Sequence, residues 1–117
     1  MQYRNLEVYK EAEALADELI DVGQQKFPVY EFNDQILRAG LSVMLNIAEG
    51  SNTLGLKHRA NFYSIARGSV AECNSFLDLC ARRQWIAPNR HAALTARCDK
   101  ISAMLFALIR GCHTRKP

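Results

Sequence analysis

Apolar residues recur along most of the chain at the three- and four-residue spacing of amphipathic helices. The first such segment covers residues 6–24, and its opposite side is acidic. Its apolar side holds Tyr9, Ala12, either Leu15 or Ala16, Leu19 and Val22. Gly23 and Pro28 are typical of the end of a helix and of the chain that follows it. The pattern predicts a helix with one buried face and one solvated face.

The second segment is apolar on two sides. Asn33 or Asp34 supplies an N-cap, and the predicted helix runs to about Glu49. Between Arg38 and Glu49, ten consecutive residues carry no charge. One apolar stripe is formed by Leu37, Leu41, Met44 and Ala48, and the other by Ile36, Gly40, Val43 and Ile47. A helix that is apolar on two sides requires cover on both, so we expect this helix to be central.

The third and fourth segments, residues 57–83 and 88–112, carry apolar repeats of alternating four- and three-residue steps. The repeats consist of Phe62, Ala66, Ser69, Cys73, Phe76 and Cys80, and of Leu94, Cys98, Ile101, Leu105, Leu108 and Cys112. This spacing is typical of the seam between antiparallel helices. A loop over residues 50–56 and a break before Pro88 provide short connections. These features predict an all-α fold, a single domain over residues 1–117 built as an antiparallel up-down-up-down four-helix bundle.

Residues 101–109 of the fourth helix contain no charged side chain, so no face of the helix carries charge over this stretch. Met104 and Phe106 lie away from the apolar seam in this stretch. The surface helix of a monomer should carry charge there. We therefore predict that Met104 and Phe106 lie in an interface between copies of the chain, which makes the protein a homo-oligomer.

Composition narrows the class of protein. Of 117 residues, 49% are hydrophobic and 23% are charged, which is typical of a globular domain rather than a disordered tail. No uncharged run approaches the ~18 residues that cross a bilayer, and the first ten residues lack the apolar core of a signal peptide. The four cysteines fall on predicted core positions and form no CxxC pair. We expect a cytoplasmic protein without membrane contact, whose buried thiols stay reduced.

Charge is divided unevenly along the chain. Residues 1–34 hold eight acidic and three basic side chains, whereas residues 35–117 hold four acidic and twelve basic ones. The basic part favours a polyanionic partner, or else it forms an ordinary solvated surface. The candidates for RNA or DNA binding through phosphates are Arg59, Arg82, Arg83, Arg90, Arg97, Lys100, Arg110, Arg115 and Lys116. No RNA-recognition motif, KH loop or exposed aromatic platform is visible, so the sequence does not predict sequence-specific readout.

A line of polar residues interrupts the second helix and predicts partners on the third. The line and its partners comprise Arg38, Ser42, Asn46, Glu49, Arg67 and Glu72. If the two helices fold back around residues 54–55, positions whose numbers sum to about 110 lie level. This register predicts an ion pair between Arg38 and Glu72 and places Asn46 near Arg67. The network is either a ligand or acid–base site, or a structural network that fixes the register or a subunit interface, and we favour the structural interpretation. Removing Arg38 from a buried pair would cost about 3–5 kcal/mol.

The sequence contains no recognisable catalytic or metal-binding motif. His58, His91 and His113 fall on different elements, and no HExxH or GxSxG pattern occurs. The Ala66-Arg67-Gly68-Ser69 run lies within a predicted helix and does not follow a strand, so it is not a phosphate-binding loop. We expect no enzyme activity, no catalytic residues, no metal and no cofactor.

Several stretches, in order along the chain, carry a resemblance to a known family. They are YRNLEV (3–8), FP (27–28), QILRA (35–39), Ser42, NIAEG (46–50) and FYSIARGSVAE (62–72). The chain resembles the bacterial proteins encoded in intervening sequences of 23S ribosomal RNA genes. Gly40 and Met44-Leu45 depart from the small residues and proline usual at those positions. The resemblance implies a homo-oligomeric four-helix bundle, with pentameric rings known in the family and no catalytic residues assigned.

The same resemblance extends to the accessory proteins of diversity-generating retroelements, which bind nucleic acid and a reverse transcriptase. Our leading hypothesis is a bundle that oligomerises, as a pentameric ring, and binds RNA or other nucleic acid non-specifically through its basic surface. The alternatives are a module that docks a protein such as a reverse transcriptase, and an oligomeric scaffold with no role in nucleic-acid binding.

Overall fold

A computed structural model describes residues 2–24, 27 and 32–114 of the chain. After a 3₁₀ turn at Tyr3–Asn5, four helices follow: α1 (Glu7–Gly23), α2 (Phe32–Asn52), α3 (Leu56–Arg82) and α4 (Pro88–Thr114). No strand occurs within these described ranges. The prediction of an all-α fold with four helices is confirmed, including the start of α4 at Pro88.

The helices are antiparallel neighbours around a common axis. α1 packs on α2, α2 on α3, α3 on α4, and α4 returns against α1. The hydroxyls of Ser42 and Ser69 join α2 to α3 at 2.7 Å, and Arg67 donates to Ser102 from α3 to α4. Between α4 and α1, Lys100 bonds Glu11 and Arg90 bonds the Glu18 carbonyl, so residue numbers run in opposite directions. This is the up-down-up-down arrangement expected from the short connections.

The core lies along the bundle axis and takes one apolar stripe from each helix. The predicted seams of α3 and α4 are largely buried, with Phe62, Phe76 and Leu108 only partly so. From α2 the core receives Ile36, Gly40, Val43 and Ile47, all buried. The 4-3 spacing therefore identified the inward faces correctly.

The expectation that α2 is central is wrong. Its second stripe is only partly covered by the described residues: Leu37, Met44 and Ala48 are half-buried, and Leu41 is exposed. The reason is geometric, because four helices around one axis give each helix neighbours only on its inner side. Leu45, on the same outer side, is 61% exposed. Among the described residues, the outer side of α2 thus keeps two large apolar side chains exposed, Leu41 and Leu45.

The ends of α2 also differ from the sequence expectation. Asn33 and Asp34 lie inside the first turn rather than at the N-cap. At the other end the helix continues to Asn52 and carries Gly50 and Ser51 into the interior. Packing against α3 explains this extension, because a loop there would bury unpaired backbone groups. The connection to α3 is only three residues, 53–55.

Aromatic side chains close one end of the bundle. The ring of Phe32 lies 5.2 Å from Phe27, 5.2 Å from Phe76 and 5.5 Å from Trp85. Edge-to-face pairs at these distances are favourable. Since Trp85 is the one tryptophan of the chain, its fluorescence reports on unfolding of this end.

The four cysteines are buried and carry no disulfide. Burial raises the pKa of the Cys73 thiol from its ordinary value of 9.0 to about 12. Burial likewise raises the pKa values of Cys80 and Cys98 to about 11. The native state therefore holds these thiols neutral at pH values where the unfolded chain ionises them.

We expect the free energy of unfolding to fall as the pH rises above 9. Each of the three thiols contributes stability that is intact below its unfolded pKa and is lost as the pH approaches its native pKa, by at most about 1.4 kcal/mol per pH unit. Urea unfolding between pH 8 and 10.5, followed by Trp85 fluorescence, measures this loss. Cys73→Ala should flatten the pH dependence although it lowers stability overall. Stability that does not change over this range would contradict the assignment.

Candidate functional site

A small polar network ties α2 to α3. The Ser42 and Ser69 hydroxyls lie 2.7 Å apart, and the Asn46 amide donates to the Ser42 carbonyl at 2.8 Å and to its hydroxyl at 3.1 Å. Ser69 is buried, and the other two residues are half-buried. Ser42 and Ser69 lie level as the hairpin register predicted. The network is compact, neutral and satisfied, which is typical of a group that fixes helix register.

The predicted ion pair between Arg38 and Glu72 is wrong. Both side chains are exposed, and neither forms an ion pair within the described residues. The register places them level, but each lies on the outer side of its helix. The cost of 3–5 kcal/mol expected for breaking a buried pair therefore does not apply to Arg38. Glu49 is exposed on the same outer side of α2.

Arg67 extends toward α4. Its Nε donates to the Ser102 hydroxyl at 3.1 Å and lies 3.3 Å from the Ser102 carbonyl. Arg67 and Asn46, which the register placed near each other, therefore bond to different partners, since Asn46 bonds to Ser42 within α2. Of the six predicted network residues, the structure brings Ser42 and Asn46 together and adds Ser69.

Three of the basic candidates face the acidic helix α1. Arg97 forms ion pairs with Glu11 at 2.9 Å and with Glu18 at 3.3 Å, and Lys100 binds Glu11 at 3.2 Å. Arg90 donates to the Glu18 carbonyl at 3.5 Å. These contacts join α4 to α1 across the bundle. Part of the excess positive charge of residues 35–117 is therefore paired with acidic side chains of α1 within the same chain.

The other basic candidates are scattered. Arg59 donates to the Thr53 carbonyl at 3.0 Å and so closes the connection between α2 and α3. Arg82 and Arg83 are exposed at the end of α3, where Arg83 lies over the Trp85 ring. Arg115 and Lys116 lie outside the described residues. Arg59 also lines a small hollow of about 110 Å³ that has no acidic residue, whereas Arg110 lies with its Cζ 6.0 Å from the ring centroid of Phe106.

A larger hollow, which we call the basic groove, lies between α3 and α4. It consists of two adjoining depressions of about 410 and 400 Å³ that share Ser64. Its lining comprises Lys57, His58, Ala60, Asn61, Ser64, Arg67, Gly68, Ala71, Ser102, Ile109 and His113. None of these lining residues is acidic. Asp78, an acid of α3 outside this lining, is bound to His91 at 2.9 Å.

Phe106 lies next to Arg67, which lines the basic groove, and close to Arg110. Its ring centroid is 5.1 Å from Arg67 Cζ and 6.0 Å from Arg110 Cζ, and the side chain is 47% exposed. The sequence analysis did not detect an exposed aromatic, so that expectation is corrected here. The spacing of Phe106 and Arg110, one helical turn apart, was the available signal. Arg67 comes from another helix, and only the fold reveals it.

An apolar cleft lies on the side of the bundle where α4 meets α1. It has a volume of about 360 Å³ and is lined by Leu6, Glu7, Val8, Met104, Ala107 and Leu108. Met104 is half-buried in this cleft, whereas the exposed Phe106 is not part of its lining. The two residues predicted together for a subunit interface therefore belong to different surfaces.

The described ranges contain neither a metal-ligand cluster nor a membrane span. No three His, Cys, Asp or Glu side chains there are grouped as metal ligands would be. None of the helices in these ranges combines the length and apolar character of a membrane span.

Comparison with known proteins connects this fold to a family. The family model for the 23S rRNA-intervening sequence protein matches residues 4–107. A solved structure of a protein of unknown function from the S23 ribosomal protein family of Bacteroides thetaiotaomicron superimposes with a TM-score of 0.80. The similarity covers 88% of this chain and 95% of that one at 22% sequence identity, which compares the folds alone. No curated protein matches the chain.

Proposed function

Because this chain belongs to the 23S rRNA-intervening sequence protein family, we propose that it is a non-enzymatic, oligomeric helical bundle that binds RNA or other nucleic acid. The observation that carries the proposal is the basic groove, whose lining has Lys57, Arg67 and no acidic residue. A phosphate backbone is attracted to such a groove whatever its base sequence. Non-specific binding through phosphates is therefore the activity that these residues support.

The dimensions of the basic groove suit a short stretch of nucleic acid. Lys57 and Arg67 are ten residues apart on α3, about 15 Å at 1.5 Å per residue. This length corresponds to about four nucleotides of a stacked strand at 3.4 Å each. Small side chains at Ser64, Gly68 and Ala71 leave the floor of the groove open to a backbone. Several phosphates therefore fit along one bundle.

Assembly into a homo-oligomer is the second part of the proposal. Two different apolar surfaces lie on opposite sides of the bundle: the outer face of α2–α3, with Leu41, Leu45 and Ile65 exposed, and the cleft between α4 and α1. We call the first of these the leucine face. Two unlike surfaces that contact each other produce a head-to-tail interface, which closes into a ring when the rotation permits. A ring, pentameric as in known members of the family, is therefore the proposed assembly.

Such a ring would present the basic groove of every subunit in the same direction. The leucine face and the cleft occupy two opposite sides of the bundle, which leaves the α3–α4 side free. Repeating a groove around an axis multiplies the phosphate contacts, and linked sites bind more tightly than each one alone. This supports nucleic-acid binding by the assembly rather than by an isolated chain.

We expect Arg67→Gln and Arg110→Gln each to weaken nucleic-acid binding and its dependence on salt. Each lost phosphate contact lowers the slope of log affinity against log salt by about 0.7–0.9. The measurement is binding of labelled structured RNA and of a matched DNA duplex between about 50 and 200 mM salt.

Lys10→Gln is the matched control, because it removes the same charge from an exposed position on α1. An equal loss in the control would mean that net charge, rather than the groove, governs binding. Absence of binding by the unaltered protein would overturn the proposal. In that case the exposed leucine face favours the second candidate function, a module that docks another protein such as a reverse transcriptase.

A further inference from the structure

We infer that the basic groove takes single-stranded nucleic acid and that an unpaired base stacks at Phe106 while Arg67 and Arg110 bind the flanking phosphates. This inference rests on the proposed function and specifies the form of its ligand. Its observations are the exposed Phe106 ring and the two guanidinium groups beside it. Single-strand binders combine a positively charged groove with aromatic side chains on which bases stack, and here an exposed aromatic lies next to an arginine of such a groove.

Arg67 is held in place before any ligand arrives. Its Nε donates to Ser102 on the neighbouring helix, and its Cζ lies 5.1 Å from the Phe106 ring centroid. Within the described part of the chain, its two terminal nitrogens have no hydrogen-bond partner. They are therefore available to bind a phosphate in a bidentate manner, at little cost in side-chain entropy.

Duplexes fit this arrangement less well than single strands. In a duplex every base is already stacked between its neighbours, so none offers a face to Phe106 without unstacking. A single strand or a loop offers such faces freely, and stacking on an aromatic tolerates any base. The groove floor beside Arg67 is formed by small residues, and a Cβ added at Gly68 meets nothing within 4 Å. A sugar–phosphate backbone therefore has room to approach the ring.

The inference also gives Phe106 a role distinct from the subunit interface first predicted for it. Met104 lies in the cleft between α4 and α1, whereas Phe106 lies next to Arg67 of the basic groove. In a ring built through the leucine face and the cleft, Phe106 would stay accessible. Substitution of Phe106 therefore separates the two roles.

The test uses the full chain and three probes: an unstructured RNA of about twelve nucleotides, a DNA strand of the same sequence, and the corresponding DNA duplex. We expect Phe106→Leu to weaken binding of the single strands about 5- to 150-fold, the range for loss of one stacked base. Duplex binding should change less than twofold. Phe106→Trp should restore single-strand affinity, because it returns an aromatic face. Comparison of the RNA and DNA strands shows whether the ribose hydroxyl contributes.

The fluorescence of a base analogue detects stacking directly, and binding through charge alone would not change it. With 2-aminopurine in the strand, its fluorescence should be quenched on binding to the unaltered protein and to Phe106→Trp but not to Phe106→Leu. Ile20→Ala is the control, because Ile20 on α1 is 42% exposed and lies away from the groove. Light scattering of each variant shows whether the assembly is intact.

Each outcome decides the inference. An equal loss for single strands and duplex, or unchanged quenching in Phe106→Leu, would overturn it and leave the groove as a binder of phosphates alone. A fall in molecular mass on Phe106→Leu would also overturn it, since Phe106 would then belong to a subunit interface. If the unaltered protein binds none of the three probes, the proposed nucleic-acid binding itself is wrong. That result is distinct from binding that occurs without stacking at Phe106.

Discussion

Replacing Leu45 by Glu is expected to convert the proposed homo-oligomer into a monomer that keeps its helical content. Leu45 is 61% exposed in the single chain, at the centre of the leucine face with Leu41 and Ile65. A charge buried without a partner in a subunit interface costs several kcal/mol, whereas the same charge on an exposed helix surface costs little. Light scattering measures the mass, and circular dichroism measures the helix content.

Leu54→Glu is the matched control for this substitution. Leu54 is 93% exposed in the connection between α2 and α3, outside the leucine face. The variant should therefore keep the mass of the unaltered protein. If Leu45→Glu also keeps that mass, the leucine face is not a subunit interface.

The head-to-tail arrangement makes a sharper prediction when a second variant is used. Met104→Asp places a charge in the cleft between α4 and α1 and should also give monomers. The Leu45→Glu variant keeps an intact cleft between α4 and α1, and the Met104→Asp variant keeps an intact leucine face. An equal mixture should therefore form heterodimers and stop there, since only one of the possible contacts is unaltered. A mixture that stays monomeric would mean that these two surfaces do not meet.

Gly50→Ala should destabilise the fold by about 1–3 kcal/mol, although alanine is the better helix former. A Cβ at position 50 would lie 2.7 and 2.9 Å from two carbons of the Tyr63 ring and 3.2 Å from the Phe62 Cβ. Tyr63 is buried, so its ring has little room to move aside. The glycine in the NIAEG stretch thus permits the close approach of α2 and α3. Urea unfolding measures the effect.

Gly68→Ala is the control for this effect. Gly68 is also helical, but it is exposed, and a Cβ there meets nothing within 4 Å. Helix propensity should then act alone and stabilise the fold by about 0.5–1 kcal/mol. A loss of equal size in both variants would mean that the contact between Gly50 and Tyr63 does not decide the outcome.

The register of α2 and α3 could be predicted from the sequence, but the direction of the charged side chains could not. The short hairpin fixes which positions lie level, and the bond between Ser42 and Ser69 agrees with it. Arg38 and Glu72 are level as well, yet both are exposed. Whether a level residue points at its partner depends on the rotation of each helix, and small rotations move a side chain from the interface to the surface.

The candidate site was harder to predict than the fold because it combines distant residues. Phe106 and Arg110 are one turn apart on α4, but Arg67 reaches Phe106 from α3. Arg97 and Lys100 seemed equivalent to Arg110 in the sequence, and the fold directs them to Glu11 on α1. A list of basic residues does not distinguish those that satisfy internal acids from those that remain available.

By itself, the sequence determined four helices, their antiparallel order and the residues that line the axis. These features depend on local spacing and on short connections, which are properties of neighbouring residues. The tertiary structure alone decided that Leu41 and Leu45 of α2 stay exposed, that Gly50 receives the Tyr63 ring, and that Phe106 lies close to arginines of two helices. These features depend on how each helix is rotated about its axis, and that rotation is set by the packing of all four helices together.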